Sequence, residues 1–365
     1  MKISFQDSKG YYSNVFLPKQ KLFINNRFVD SKSGKNIDVI NPTTEKIICS
    51  CPSANKDDVD DAVQAAKQAF ISWKNLKAAE RSEYLLKLAD LIEKHEAEIA
   101  VLESLDTGKP MKNTLKVDVH YAIESLKYNA SLCDKINGKY INDSEYLMYV
   151  VKEPVGVCAQ IIPWNFPFAL LVSKLASCLA AGCVVVSKAS EETPLSAFRL
   201  AELILEANFP AGVVNILTGY GDIAGEALVR HPNIDKISFT GSTRVGKIIQ
   251  SIAANSIKRV TLELGGKSAS CICEDADVFE ATKVVCDSIF GNSGQCCNAL
   301  SRVFVHDTLY ETFLDLATGF CSSRKICGPF RSTEDEKATS HDPHHVYVTD
   351  SDSGISSMMI SVIFI

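Results

Sequence analysis

The residue types able to do chemistry crowd into a few short segments of this 365-residue chain. FGNSGQCCNALSR sets Cys296 and Cys297 between a glycine-rich turn and an expected helix, whose N–H groups would stabilise a thiolate and make it a strong nucleophile. A pair of buried structural cysteines would look the same. RVTLELGGKS places Glu263 in an otherwise apolar strand immediately before Leu264, Gly265 and Gly266. Apolar surroundings disfavour a carboxylate's charged form and raise its pKa toward proton transfer, whereas a Glu facing solvent at a strand edge would lack that push. The glycines let a ligand approach the backbone closely. QIIPWNFPF holds Asn165 between prolines that stiffen its loop, so that its amide could donate to a developing oxyanion or simply close a local turn. The histidines are scattered and offer no Cys–His dyad, which leaves the base to a carboxylate.

A second group suits a nucleotide. In DKISFTGSTRVGKIIQ a strand over 237–240 runs into Gly241, and Ser242 caps a helix carrying Val245, Ile248 and Ile249. A helix N-terminus at a strand's carboxyl end offers N–H groups and a positive dipole end to a phosphate. The spacing is not G-x-G-x-x-G, and an ordinary strand–turn–helix would share it. Lys188 and Glu191 follow a strand over 183–186, at the edge where open α/β sheets bind nucleotides, and there could hold the ribose hydroxyls of an adenosine. A solvated helix start is the alternative.

The elements that must position these groups change texture along the chain. A helix over 56–70 puts Val59, Ala62, Val63, Ala66 and Phe70 on one face, with Asp57 and Asp58 at its N-terminal end. A second helical run, 78 to about 104, repeats Leu85, Leu88, Leu91 and Ile92 until Asp106-Thr107-Gly108-Lys109-Pro110 stops it, and a third extends through Leu132. From Val155, short β-branched runs alternate with helical stretches, the rhythm of βαβ units in a doubly wound parallel sheet. YINDSEYLMYVV, between Gly138 and Val151, lies outside that rhythm as a strand or hairpin. No internal repeat stands out. The last 35 residues or so turn polar and end in ISSMMISVIFI, a tail expected to be poorly ordered.

Composition excludes several classes. Hydrophobic residues at 46% with 22% charged are those of a globular chain of two domains or one large one. A net charge of −6 gives no basic footprint for nucleic acid or an acidic membrane. The apolar stretch 168–186 approaches spanning length, but Lys174 and Gly182 interrupt it, so it is read as a buried helix followed by a buried strand. Thirteen cysteines, an odd number, follow no recognisable signal peptide and suggest reduced thiols in the cytoplasm. Cys49/Cys51 and Cys271/Cys273 form C-x-C pairs with no further ligands at metal spacing, so they are expected in the core and no metal is expected.

Together these segments suit oxidation of an aldehyde through a cysteine thioester, and the chain resembles the NAD(P)-dependent aldehyde dehydrogenase family. The resemblance runs from about Leu22 (LFINNRFVDSKSGK, INPTTEKI) through DTGKP, IIPWNFP, SKASEETPLSA, FTGSTRVGK, VTLELGGKS and GQCCNALSR to about Phe320. GQCC with KRVTLELGG looks most like the general cytosolic and mitochondrial branch that includes retinal dehydrogenases. The resemblance implies Cys297 as nucleophile with Cys296 its variable neighbour, Glu263 as the base that activates water, and Asn165 with the Cys297 N–H as the oxyanion hole. It implies Lys188 and Glu191 as adenosine-ribose contacts favouring NAD over NADP, Gly241, Ser242 and Gly246 as the pyrophosphate turn, and Trp164 and Gly265 as lining of the cofactor cleft.

The implied organisation is an NAD-binding α/β domain over 1–264 with an oligomerisation-arm-like hairpin over 138–151. The start of an incomplete α/β catalytic domain follows over 265–330, and then an unmatched tail over 331–365. Relatives have Lys-Pro-Ala-Glu where this chain has Lys188-Ala189-Ser190-Glu191, a change that keeps both functional positions. Past Phe320 only KICGPF faintly resembles the family, whose members continue to complete the catalytic domain and contact the nicotinamide ribose. The chain is therefore expected to be a truncated product or an incomplete gene model. It would act as an aldehyde dehydrogenase on a small-molecule substrate, or as an inactive homologue binding dinucleotide or a full-length subunit. Relatives are homo-oligomers.

Overall fold

The computed structural model describes residues 2–6, 12–324, 328–330 and 361–364. Its β-branched runs form strands β1 (Leu22–Ile24), β2 (Arg27–Val29), β3 (Val157–Ile161), β4 (Val184–Lys188), β5 (Val214–Leu217), β6 (Lys236–Gly241) and β7 (Arg259–Leu264). These make one sheet in the order β7-β6-β3-β4-β5-β1-β2. The strands from β7 to β5 are parallel, and β1 and β2 add an antiparallel edge. Every residue of β3, β4 and β5 is buried, as a parallel sheet covered on both faces requires.

The covering helices are α1 (Lys56–Trp73), α2 (Ala78–Lys94), α3 (Glu96–Thr107), α4 (His120–Leu132), α5 (Pro167–Ala180), α6 (Leu195–Glu206) and α7 (Thr243–Ala254). Right-handed crossovers put α5 and α6 on one face of the sheet. The chain changes direction across the sheet after β5, which puts α7 on the other face with α1. In α1 the predicted positions Val59, Ala62, Val63 and Ala66 point inward, joined by Ala69 and Trp73. Asn55 caps that helix: its side chain accepts from the Asp57 and Asp58 N–H groups, and Asp58 accepts from the Asn55 N–H.

The run read as one helix from 78 to about 104 is two, because the backbone leaves helical geometry at His95 (φ −111°, ψ 18°). Gly108, left-handed at φ 71°, ends α3. The apolar stretch 168–186 resolves into α5 and the start of β4, with Gly182 turning between them at φ 81°. No described helix is long and apolar enough to cross a membrane.

Beyond β7, strands β8 (Ser268–Ile272) and β9 (Leu300–Val305) pair in parallel in a separate small sheet. Helices α8 (Val278–Phe290) and α9 (Tyr310–Ser322) flank it, around a core of Ile272, Val285, Val303, Val305 and Phe313. Lys139–Asn142 and Leu147–Val150 form the expected antiparallel hairpin, exposed along its whole length. Of the expected poorly ordered tail, 331–360 and 365 lie outside the described residues; Ser361–Phe364 form a strand parallel to β9. The C-x-C pairs divide: Cys51 is buried and Cys49 half-buried, but Cys271 and Cys273 are exposed, contrary to the core reading. Cys271 falls on the outward-facing alternate positions of β8.

Candidate active site

Strand β3 sits between β4 and β6, whose helical connections lie on opposite faces of the sheet, so a crevice opens at the carboxyl ends of the strands. A cleft of about 1890 Å³ occupies that position. Trp164 and Asn165 enter it after β3, Lys188 and Glu191 from the end of β4, Gly241 and Ser242 from β6, Glu263 and Gly265 from β7, and Cys297 from the loop before β9. Gly246 alone among the expected residues does not line it. It lies buried in the first turns of α7, where a Cβ would come within 2.7 Å of the Leu264 side chain, so its role is to let the helix approach β7.

The nucleotide side of the cleft is built from strand ends. Ser242 is the N-cap of α7, its hydroxyl accepting from the Val245 N–H at 3.3 Å. The first N–H groups of a helix lack partners within it and present a positive dipole end. Lys188 is buried and forms an ion pair with the partly buried Glu191. The two belong to the end of β4 and the turn after it, rather than to a helix start. Gly265 has open space where a Cβ would project. A capped helix N-terminus for a pyrophosphate, a cation–carboxylate pair for ribose hydroxyls and open room over Gly265 fit a dinucleotide.

The nucleophile side departs from expectation in its local structure. No helix follows Cys297. Leu300, Val303 and Val305 belong instead to β9, and α8 ends before the cysteines, at Phe290. The chain turns between them through three consecutive left-handed residues, Asn292 (φ 52°), Ser293 (φ 57°) and Gly294 (φ 80°). Non-glycine residues hold that region at a cost of about 1–2 kcal/mol each, and such strain persists where surrounding contacts over-determine it. Here the Asn292 amide donates to the carbonyls of Asn165 (2.9 Å) and Gln295 (3.2 Å).

Cys297 is exposed, and what desolvation it has pushes its thiol above the ordinary value. Cys296 and Glu263 add to that rise, while the backbone N–H groups of Cys297 and Asn298 oppose it. The thiolate that the sequence suggested at a helix N-terminus is therefore not provided by a helix. Of the two readings of Glu263, the structure takes the second: on edge strand β7 it occupies an exposed alternate position rather than apolar surroundings. Its register with Thr240 sets it level with the Gly241 turn.

Two hydrogen bonds draw the expected catalytic groups together. The Asn165 amide donates to the Gln295 carbonyl at 2.8 Å, and the Gly266 N–H donates to the Cys297 carbonyl at 3.1 Å. Asn165 is itself held from below by Lys109, whose ammonium donates to the Asn165 carbonyl (3.1 Å) and to Asp118 (2.8 Å). It also lies 3.6 Å from Glu103 and 4.7 Å from the centre of the Phe166 ring. All three charged groups are buried. Burial pushes the Glu103 carboxyl up to about 7 against the pull of Lys109, and Asp118 up as well. Asp106, buried and accepting from the Leu195 N–H at 2.6 Å, is raised too, chiefly by desolvation.

Sequence reading took DTGKP as a helix stop and as one segment of the family resemblance, and missed Lys109 as the support of Asn165. The available signal was Glu103 and Asp106, acids three residues apart in the otherwise apolar IAVLESLD, which require a buried partner.

A model of the aldehyde dehydrogenase family matches residues 28–344. A mitochondrial aldehyde dehydrogenase of Leishmania tarentolae is 46% identical over 317 residues, 86% of this chain and 64% of that protein. Retinal dehydrogenase 2 of Mus musculus is 46% identical over 328 residues, 88% of this chain and 63% of its own length. The chain thus spans just under two thirds of these curated relatives. The NAD+ complex of an aldehyde dehydrogenase from Bacillus cereus superposes with a TM-score of 0.83 at 44% identity, covering 87% of this chain and 67% of that one.

Proposed function

This chain belongs to the aldehyde dehydrogenase family, and from that premise we propose that it oxidises a small-molecule aldehyde to a carboxylic acid with NAD, through a thioester on Cys297. The observation that carries the reading is the pair of hydrogen bonds from Asn165 to Gln295 and from Gly266 to Cys297, which gather nucleophile, amide donor and the Glu263 strand at one sheet switch point.

In this reading 1–264 binds the cofactor and 265–330 begins the catalytic unit. Lys188 and Glu191 hold the adenosine ribose, and the Glu191 carboxylate would repel a 2′-phosphate, favouring NAD over NADP. Gly241 and Ser242 receive the pyrophosphate, Trp164 and Gly265 line the cleft, and Gly246 keeps α7 close. The dinucleotide, when bound, supplies an acceptor for the aldehyde's hydride. The Cys297 thiol gives up its proton to solvent and its sulfur adds to the carbonyl carbon, and Asn165 with the Cys297 N–H stabilises the oxyanion that forms. Glu263, exposed to the cleft, takes a proton from the water that releases the acid from the Cys297 acyl group. The described cysteines are all free, which supports a reducing, cytoplasmic setting.

Purified protein given NAD and a short aliphatic aldehyde should generate NADH absorbance. NAD binding without turnover would contradict the oxidation reading, and no NAD binding would contradict the cofactor assignment as well.

A further inference from the structure

Far from the cleft, three cysteines converge on the amino-terminal side of the same sheet. Cys158 is the second residue of β3, Cys178 lies in the last turn of α5, and Cys183 immediately precedes β4, so one βαβ unit supplies all of them. Their sulfurs lie within 4.8 Å of one another. Cys158 and Cys183 are 4% exposed, and the three sulfurs form a buried group.

The backbone is arranged around these sulfurs. The Val155 N–H donates to the Cys183 sulfur at 3.2 Å, the Cys178 thiol donates to the Val184 carbonyl at 3.8 Å, and Gly156 and Gly182 turn beside the cluster at φ 130° and 81°. Cations flank the cluster. Lys236 is the ladder partner of Cys158 across β6, and the Arg81 guanidinium donates to the Ala180 carbonyl within the Cys178–Cys183 turn. None of these groups belongs to the site described above.

We propose that Cys158, Cys178 and Cys183 form a three-sulfur site for a soft, thiophilic metal ion, with monovalent copper as its occupant. Sulfur bonds of about 2.3 Å around a trigonal ion set the sulfurs about 4 Å apart, so closing the cluster requires shifts of under about 1 Å. Coordination number decides the ion. Zinc in structural sites takes four ligands, and no fourth His, Cys, Asp or Glu joins this group among the described residues. Thiolate ligands select cuprous ion, for which three sulfurs suffice. On binding, each thiol that coordinates the ion releases its proton to solvent, and no electron is transferred. The flanking Lys236 and Arg81 offset the negative charge that three thiolates leave on the site.

The test is oxygen-free titration of the fully reduced chain with cuprous ion, added as its acetonitrile complex, against the chelator bathocuproine disulfonate. The expected result is one equivalent withheld from the chelator with a thiolate-to-copper absorption band. That equivalent should be lost in Cys178→Ser and kept in Cys297→Ser and in the double variant Cys271→Ser, Cys273→Ser. X-ray absorption at the copper edge of the unmutated chain should report three sulfurs, a readout that does not depend on any variant folding. Surrender of all copper to the chelator, retention by Cys178→Ser, a first shell without three sulfurs, or binding of zinc but not copper would each overturn the assignment.

Discussion

On the nucleotide side of the cleft, Lys188, Gly241 and Ser242 stand at the ends of strands in the body of the sheet, β4 being buried at every position. On the nucleophile side, Cys297 hangs from a left-handed turn, exposed; its carbonyl accepts from the Gly266 N–H, and the turn before it is tied to Asn165 through the Gln295 carbonyl. The first arrangement is rigid because displacing any residue would break a buried ladder. The second depends on a few polar contacts, and through them on Lys109, so damage at a distance should reach the chemistry while leaving nucleotide binding nearly intact.

The largest expected effect separates the two neighbouring cysteines. Cys297→Ala should show no aldehyde-dependent NADH formation and should still bind NAD, while Cys296→Ala should keep turning over; the reverse pattern would exchange their roles. Next is the support under Asn165. Lys109→Met leaves Glu103 and Asp118 buried without their cation, which should cost about 3–5 kcal/mol in denaturant unfolding. Turnover should fall by about 100-fold as the amide donor loses its anchor, with NAD affinity changed far less. Equal losses of turnover and NAD affinity would erase the distinction between the two sides.

Protonation of the same cluster gives a third test. The Glu103 pKa is raised in the fold from 4.5 to about 7, so its contribution to stability is complete below pH 4.5 and is lost as pH rises through about 7. Asp106 and Asp118, also raised, act in the same direction. Melting temperature should therefore decline across that window, and Glu103→Gln should flatten the decline without abolishing it. The smallest effect belongs to the nucleotide side. Ser242→Ala removes the α7 cap at a cost of about 1 kcal/mol, and calorimetry should show NAD affinity only a few-fold weaker.

The contrast also explains what the sequence made legible. The doubly wound sheet and the residues at its strand ends follow from local pattern. VVVSK and VCAQI are read as buried strands because both faces are apolar, and the glycine turn after KISFT needs nothing distant. The nucleophile side was legible in residue type only. Cys297, Glu263 and Asn165 could be named, yet the left-handed turn at Asn292 and the strand after Cys297 were not foreseen. Glycine-rich GNSG marks a turn without its hand, and LSRVFV competes with a helix until it pairs with Ser268–Ile272. For Glu263 the sequence left a buried and a solvent-facing carboxylate both open, because its exposure is set by the position of β7 at the sheet edge, which no local run reveals. Lys109 meets Asn165 across 56 residues of chain, a contact invisible to any local window.

The most direct measurement of the central claim is acid quenching of the protein during its first turnover with NAD and a short aldehyde, followed by peptide mass mapping. The account predicts one acyl group, on the peptide and at the position of Cys297. An acyl group on another cysteine, or NADH formed with no acyl-cysteine at any time, would contradict it.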